Sequence, residues 1–135
     1  MNALAHRFLP GPKGGLYAWQ RVKQSPEVIL VEGLFDLAAL WQAGFRNVTC
    51  AMGSYLNARQ FQQLCDGVSR TVYLAFDFDV NGGGQQAAQQ LSRRLLKEGV
   101  TALRVELPYG HDPNSFFARG GDGRQFQSLL EKAVP

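Results

Sequence analysis

Two short, largely apolar runs that each end on acid constrain this chain more than any other feature. Val28-Ile29-Leu30-Val31 passes into Glu32-Gly33-Leu34-Phe35-Asp36, and Thr71-Val72-Tyr73-Leu74-Ala75-Phe76 passes into Asp77-Phe78-Asp79-Val80-Asn81-Gly82. The runs have strand length and almost no polar alternation, so both faces are expected to be buried, as in a parallel sheet covered by helices. In such a sheet ligands and chemistry gather at the carboxyl ends of the strands. Carboxylates brought together there repel one another unless a cation neutralises them. Oxygen-only donors suit Mg²⁺ or Mn²⁺.

The rest of the chain fits the same plan. A strand over about 28–32 leads to a helix over about 34–43, with Leu34, Leu37, Ala38 and Trp41 at helical spacing and Gly44 as its stop. A strand over 47–51, a loop at Gly53-Ser54-Tyr55-Leu56 and a helix over 58–67 capped by Asn57 come next. A strand over 71–76 reaches the aspartates, and Gly82-Gly83-Gly84 opens a helix that ends near Glu98-Gly99. A strand over 101–106, a loop through Asp112-Pro113, a short helix and a last helix over 122–133 complete the pattern. Repeated β-α units with short connections imply right-handed crossovers and one parallel sheet of about four strands.

Composition narrows the class. A 135-residue chain with 45% apolar residues suits one packed domain. No apolar run approaches the roughly 20 residues needed to span a bilayer, and the N-terminus lacks a signal-peptide core, so a cytoplasmic protein is expected. Cys50 and Cys65 form no C-x-x-C pair, which argues against structural zinc and for two reduced thiols. Residues 1–26 form a Pro/Gly-containing leader whose only charged side chains are Arg7, Lys13, Arg21 and Lys23, and residues 27–135 form the α/β domain.

Glu32, Asp77 and Asp79 are the residues expected to carry chemistry. Asp77 and Asp79, two apart, point the same way if the strand continues through them, and Glu32 can share a cation with them from another strand end. Asp36 and Asp112 are further candidate metal contacts. Gly33 permits close backbone approach, Gly82 begins a run whose amides can cradle phosphate at a helix start, and His111 can touch phosphate. No Gly-Lys-Ser/Thr follows the glycines, so the run is not a Walker loop.

Glu32-Gly33 with Asp36, then Asp77-x-Asp79 with Gly82, then His111-Asp112-Pro113, resembles the Toprim domain of bacterial primases, topoisomerases, recombination mediators and small nucleases. Val31–Leu40, the glycine loop Ala51–Leu56 with Gly53, and Asp112–Phe117 are similar to the primase form in particular. The resemblance covers about 28–132. It implies a Rossmann-like Toprim fold, a Mg²⁺ or Mn²⁺ site, Glu32 as acid/base or metal-linked glutamate, and Asp77 and Asp79 as the metal-binding pair. Pro12–Tyr17 is similar to a basic stretch upstream in primase-like proteins, where Lys13 would meet nucleotide or template. The pattern departs from the primase form at Phe78, where a small residue is usual, at Val80, where a basic one is, and at Asn81, where alanine is common.

The function so implied is metal-dependent nucleotidyl transfer from nucleoside triphosphates on single-stranded DNA. The chain is then the Toprim piece of a larger primase-like protein, with flanking domains or a helicase as partners. Three alternatives compete. A Toprim nuclease would use the same metals. A haloacid-dehalogenase-type phosphatase fits Asp77-x-Asp79 but leaves Glu32 idle and lacks its later motifs. A non-catalytic nucleic-acid-binding module is consistent with the changes after Asp79.

Overall fold

The computed structural model describes residues 14–135. Elements run in the order α1 (Trp19–Val22), β1 (Glu27–Val31), α2 (Leu34–Gln42), β2 (Val48–Cys50), α3 (Ala58–Leu64), β3 (Thr71–Leu74), α4 (Gly83–Lys97), β4 (Thr101–Arg104), α5 (Pro113–Ala118) and α6 (Gly123–Glu131). The four strands are all parallel in the order β2-β1-β3-β4. The parallel sheet expected from the apolar runs, and the Rossmann-like arrangement that the resemblance implies, are therefore the observed ones.

Both faces of the sheet are covered. Val28 and Leu30 on β1, with Val72 and Leu74 on β3, pack against Trp19, Leu64, Leu91 and Leu95. Ile29 and Val31 turn the other way, onto Leu40, Phe126 and Leu130. Alternate residues of one strand thus enter two separate cores, which is why the strand sequences show no polar face. Leu16, Trp19 and Val22 are buried in the first core, so the end of the basic leader packs as part of the domain. Both sheet edges are closed by the chain itself. Tyr17 N–H donates to the Cys50 carbonyl at 3.2 Å, and Arg104 and Val134 form an antiparallel bridge.

Several elements end earlier than the apolar pattern predicts. β3 stops at Leu74 and β4 at Arg104, although Phe76, Val105 and Leu107 stay buried. Burial outlasts pairing here, because the two segments diverge from the sheet to form loops while still facing the core. α3 ends at Leu64, before Gly67 with φ of 87°.

The strand order has a functional consequence. From β1 the chain moves first to β2 on one side and later to β3 on the other. The loop after β1 leads to α2 on the face of the second core, and the loop after β3 leads to α4 on the face of the first. The carboxyl ends of β1 and β3 therefore flank a crevice at the topological switch point.

Candidate metal centre

Asp36, Asp77 and Asp112 converge at that crevice, each offering one carboxylate oxygen within 4.8 Å of the others. Each acid is delivered by a different local device. Asp36 sits in the first turn of α2, is 7% exposed, and accepts the Asn114 N–H at 3.1 Å through Oδ1. That bond ties the starts of α2 and α5 together. Asp112 is the N-cap of α5 and accepts the Ser115 N–H at 2.7 Å, with Pro113 at the first helical position. Asp77 follows β3, and its Oδ1 is buried with no hydrogen-bond partner among the described residues.

Glu32 holds the loops around the acids. Its Oε1 accepts the Asp77 N–H at 2.8 Å, and its Oε2 accepts the Ser54 hydroxyl. The Glu32 carbonyl also accepts the Gly53 N–H at 2.8 Å. Glu32 thus clasps the strand ends of β1, β2 and β3, with Met52 (φ 64°) and Gly53 (φ 152°) making the turn that brings Ser54 in. A non-glycine residue at positive φ costs on the order of 1 kcal/mol, so the turn is held against a backbone preference.

Asp79 takes a different position from the one expected on a continued strand. Both aspartates lie beyond β3, in the loop, so the two-residue spacing no longer aligns them. Asp79 Oδ2 accepts the Gly84 N–H at 3.0 Å, and Gln85 exchanges two bonds with the Asp79 backbone, at 3.1 and 3.0 Å. α4 begins after Gly82, which has no side chain to cap it, and Asp79 meets that need. The amides of the glycine run are correspondingly engaged, Gly83 by Asn81 Oδ1 at 3.1 Å and Gly84 by Asp79. Gly82 itself adopts φ 81°. Gly33 has φ −136°, extended backbone open to any residue, and its Cβ position faces Asp36 Oδ2 at 3.9 Å. His111 Nδ1 lies 2.9 Å from Ser115 Oγ, beside the Asp112 cap. Lys13 lies outside the described residues.

The electrostatics suit a cation. At 4.8 Å each pair of charged carboxylates repels by about 3 kcal/mol for an effective dielectric near 20. Protons relieve this in the metal-free state. Burial, then the Glu32, Asp36 and Asp112 carboxylates, push Asp77 up to about 8. Burial pushes Asp36 up to about 6, against the Asn114 N–H that lowers it. Cys50 is close enough to feel Asp36, but burial first of all pushes its thiol up to about 11, so it stays protonated and is a poor ligand. The donors are oxygens, one of them unpartnered, and this set fits a hard divalent cation of the Mg²⁺ or Mn²⁺ kind.

Residues 29–117 match the family model described as Toprim-like. The chain belongs to the Toprim-like family. This Toprim domain is 34% identical over 130 residues to the DNA primase of Aquifex aeolicus (strain VF5), covering 88% of this chain and 26% of that protein. It is 35% identical over 114 residues to the DNA primase of Myxococcus xanthus, covering 84% of this chain and 18% of that one. Among solved structures, the Aquifex aeolicus primase zinc-binding and RNA polymerase domains superpose with a TM-score of 0.74 at 32% identity, over 91% of this chain and 31% of that one. The DnaG primase catalytic domain bound to ssDNA gives a TM-score of 0.70 at 25% identity, over 93% of this chain and 42% of that one. The resemblance to the primase form of the Toprim domain is borne out. The domain spans about a quarter or less of the curated primases it matches. No helix among the described residues is long and apolar enough to cross a membrane.

Sequence reasoning did not single out three features of the Toprim centre. Ser54 holds Glu32, Gln85 locks the Asp79 backbone, and the Asn114 amide holds Asp36. Ser54 had a readable signal, its place in the loop after β2 at the carboxyl edge of the sheet. The other two act through bonds that no local pattern announces.

Proposed function

We propose that this domain holds Mg²⁺ (or Mn²⁺) on Asp36, Asp77 and Asp112 and serves nucleotidyl transfer from nucleoside triphosphates on single-stranded DNA, as the Toprim part of a larger primase-like protein. The observation that carries this reading is Asp77 Oδ1, buried and unpartnered beside two further carboxylates. A bound cation would neutralise charge developing on a transferred phosphoryl group. Asp36 and Asp112 keep their positions through helix starts, so the site is preorganised before ligand arrives. Burial and the neighbouring carboxylates push Asp77 up to about 8, so a cation held there would compete with its proton. Glu32, which accepts the Ser54 hydroxyl and the Asp77 amide, is the general base in this reading, taking a proton from an attacking hydroxyl. Asp79 acts by shaping the loop that carries Asp77. Flanking domains of the longer protein, and a helicase, are the protein partners in this reading.

Mn²⁺ binding followed by EPR or calorimetry tests it. Wild type binds, and Asp77→Asn loses at least about tenfold in affinity. Glu32→Gln also weakens binding by loosening the clasp, and Asp79→Asn does so less than Asp77→Asn. Absence of Mn²⁺ binding by wild type, with single-stranded DNA and nucleotide present, would overturn the reading. DNA cleavage without nucleotides would move the nuclease alternative ahead.

A further inference from the structure

Three large aromatic side chains stand exposed at the same sheet edge as the acids, Phe35 at 81%, Tyr55 at 70% and Tyr109 at 66%. They differ in how they are held. Among the described residues, Phe35 and Tyr55 have no aromatic ring partner, and the Tyr55 hydroxyl has no hydrogen bond. Tyr109 is held chiefly through its ring. Its ring packs edge-on against Phe78, with centroids 6.0 Å apart at 69°. Its hydroxyl donates a long bond to the Val80 carbonyl at 3.4 Å. The loops beneath are stitched together, Gly110 N–H to the Phe78 carbonyl at 2.7 Å and Phe78 N–H to the His111 carbonyl at 2.9 Å.

We infer that Tyr109, buttressed by Phe78, is a stacking platform for an unpaired nucleobase whose own phosphate lies toward the acid cluster. The inference rests on the metal-dependent reading above and names the part of the substrate that this edge recognises. The placement follows from the sequence and from the backbone bonds that join the two loops. Phe78 follows Asp77, and Tyr109 precedes Asp112 by three residues. The two loops that supply acids therefore also build the platform.

The physical case has three steps. An exposed tyrosine ring usually samples several rotamers and loses that freedom on binding. Here the ring is already held, so stacking on its open face costs little ordering. Stacking on an aromatic side chain is worth about 1–3 kcal/mol per base and needs no particular base. The acids beside it repel a bare phosphate, so a cation held there would favour filling of the platform. A nucleotide offers both a π-face for the ring and a phosphate for the cation. A peptide segment offers no such pairing.

The unpaired base can belong to a single strand or to a free nucleoside triphosphate, and a double-mutant cycle separates them. The full chain is titrated, in Mn²⁺, with fluorescent oligothymidylate and with an abasic oligomer of the same length, and separately with thymidine triphosphate and with inorganic triphosphate. Tyr109→Ala is expected to weaken one base-bearing ligand about tenfold and to leave its base-free counterpart unchanged. Which pair responds identifies the source of the base. Tyr109→Phe keeps the ring and stays within about twofold of wild type, and Mn²⁺ affinity without nucleic acid is the same in all three proteins. The inference is overturned if Tyr109→Ala binds both base-bearing ligands like wild type, if it weakens the abasic oligomer equally, or if Tyr109→Phe is as weak as Tyr109→Ala. A wild type that binds Mn²⁺ but neither DNA nor nucleotide overturns the platform alone. One that binds no Mn²⁺ removes the underlying reading with it.

Discussion

Gly83 and Gly84 are adjacent, both open α4, and should respond in opposite directions to the same substitution. A Cβ on Gly84 would lie 2.0 Å from the Asp77 carbonyl oxygen and 2.9 Å from its carbon. These are backbone atoms of the residue at the centre of the acid cluster, so relief requires the Asp77 segment or the start of α4 to move by about 1 Å from ordinary contact distances. Overpacking of this kind costs about 1–3 kcal/mol, against at most about 1 kcal/mol regained because alanine favours helix over glycine. Gly84→Ala should therefore destabilise by about 1–2 kcal/mol, and lower Tm by about 3–6 °C for a domain of this size. A Cβ on Gly83 would meet only side-chain oxygens of Asn81 and Asp79, each at 3.4 Å. Gly83→Ala should be neutral or stabilising by up to about 1 kcal/mol. Thermal unfolding of both variants, with Mn²⁺ titration of the folded proteins, provides the comparison. Gly84→Ala should also weaken Mn²⁺ binding, because the displaced carbonyl carries Asp77 with it, and Gly83→Ala should leave it intact. Equal Tm shifts of the same sign, or a Gly84→Ala protein with wild-type stability and metal affinity, would refute the close approach as the reason for glycine there.

Two further outcomes follow from the charge distribution. Asp77 and Asp36 have folded pKa values raised to about 8 and about 6, from 3.8. The native state then binds more protons than the unfolded chain between those values, so metal-free stability falls as pH rises from about 4 to about 8. Saturating Mg²⁺ should flatten that decline, as read from urea midpoints across the range. Arg70 has a fully buried side chain that bonds Asp66 at 2.9 Å and the Lys23 carbonyl at 2.7 Å, and lies 4.9 Å over the Trp19 ring. Arg70→Met should cost about 2–4 kcal/mol and raise hydrogen exchange in α1. Arg70→Lys should not restore it, since an ammonium cannot make the forked contacts.

The legible part of this protein was whatever depends on strand ends. Val28–Val31 and Val72–Leu74 are apolar on both faces because each strand feeds two cores, so a parallel sheet follows from the residues alone. In a parallel sheet every strand releases its chain at the same edge, which puts the acids after β1, β3 and β4 on one side of the molecule, and the loops then decide which of them meet. What stayed hidden was the partition of roles among those acids, because it turns on competition between the cluster and the nearest helix start for each carboxylate. Asp36 and Asp112 both sit at helix starts, where Asp36 accepts the Asn114 amide and Asp112 caps Ser115, yet each still brings a carboxylate oxygen within 4.8 Å of the others. Asp79 goes to α4 because Gly82 leaves that helix uncapped, and its place between Gln85 and Gly84 then fixes how Asp77 leaves the strand. A two-residue spacing is informative only while the backbone stays extended, and Leu74 is where the ladder ends. The divergence of Asp77 from Asp79 is therefore a consequence of where pairing stops. The same divergence turns Phe78 toward Tyr109, so one irregular loop both isolates the unpartnered carboxylate and builds the aromatic surface beside it.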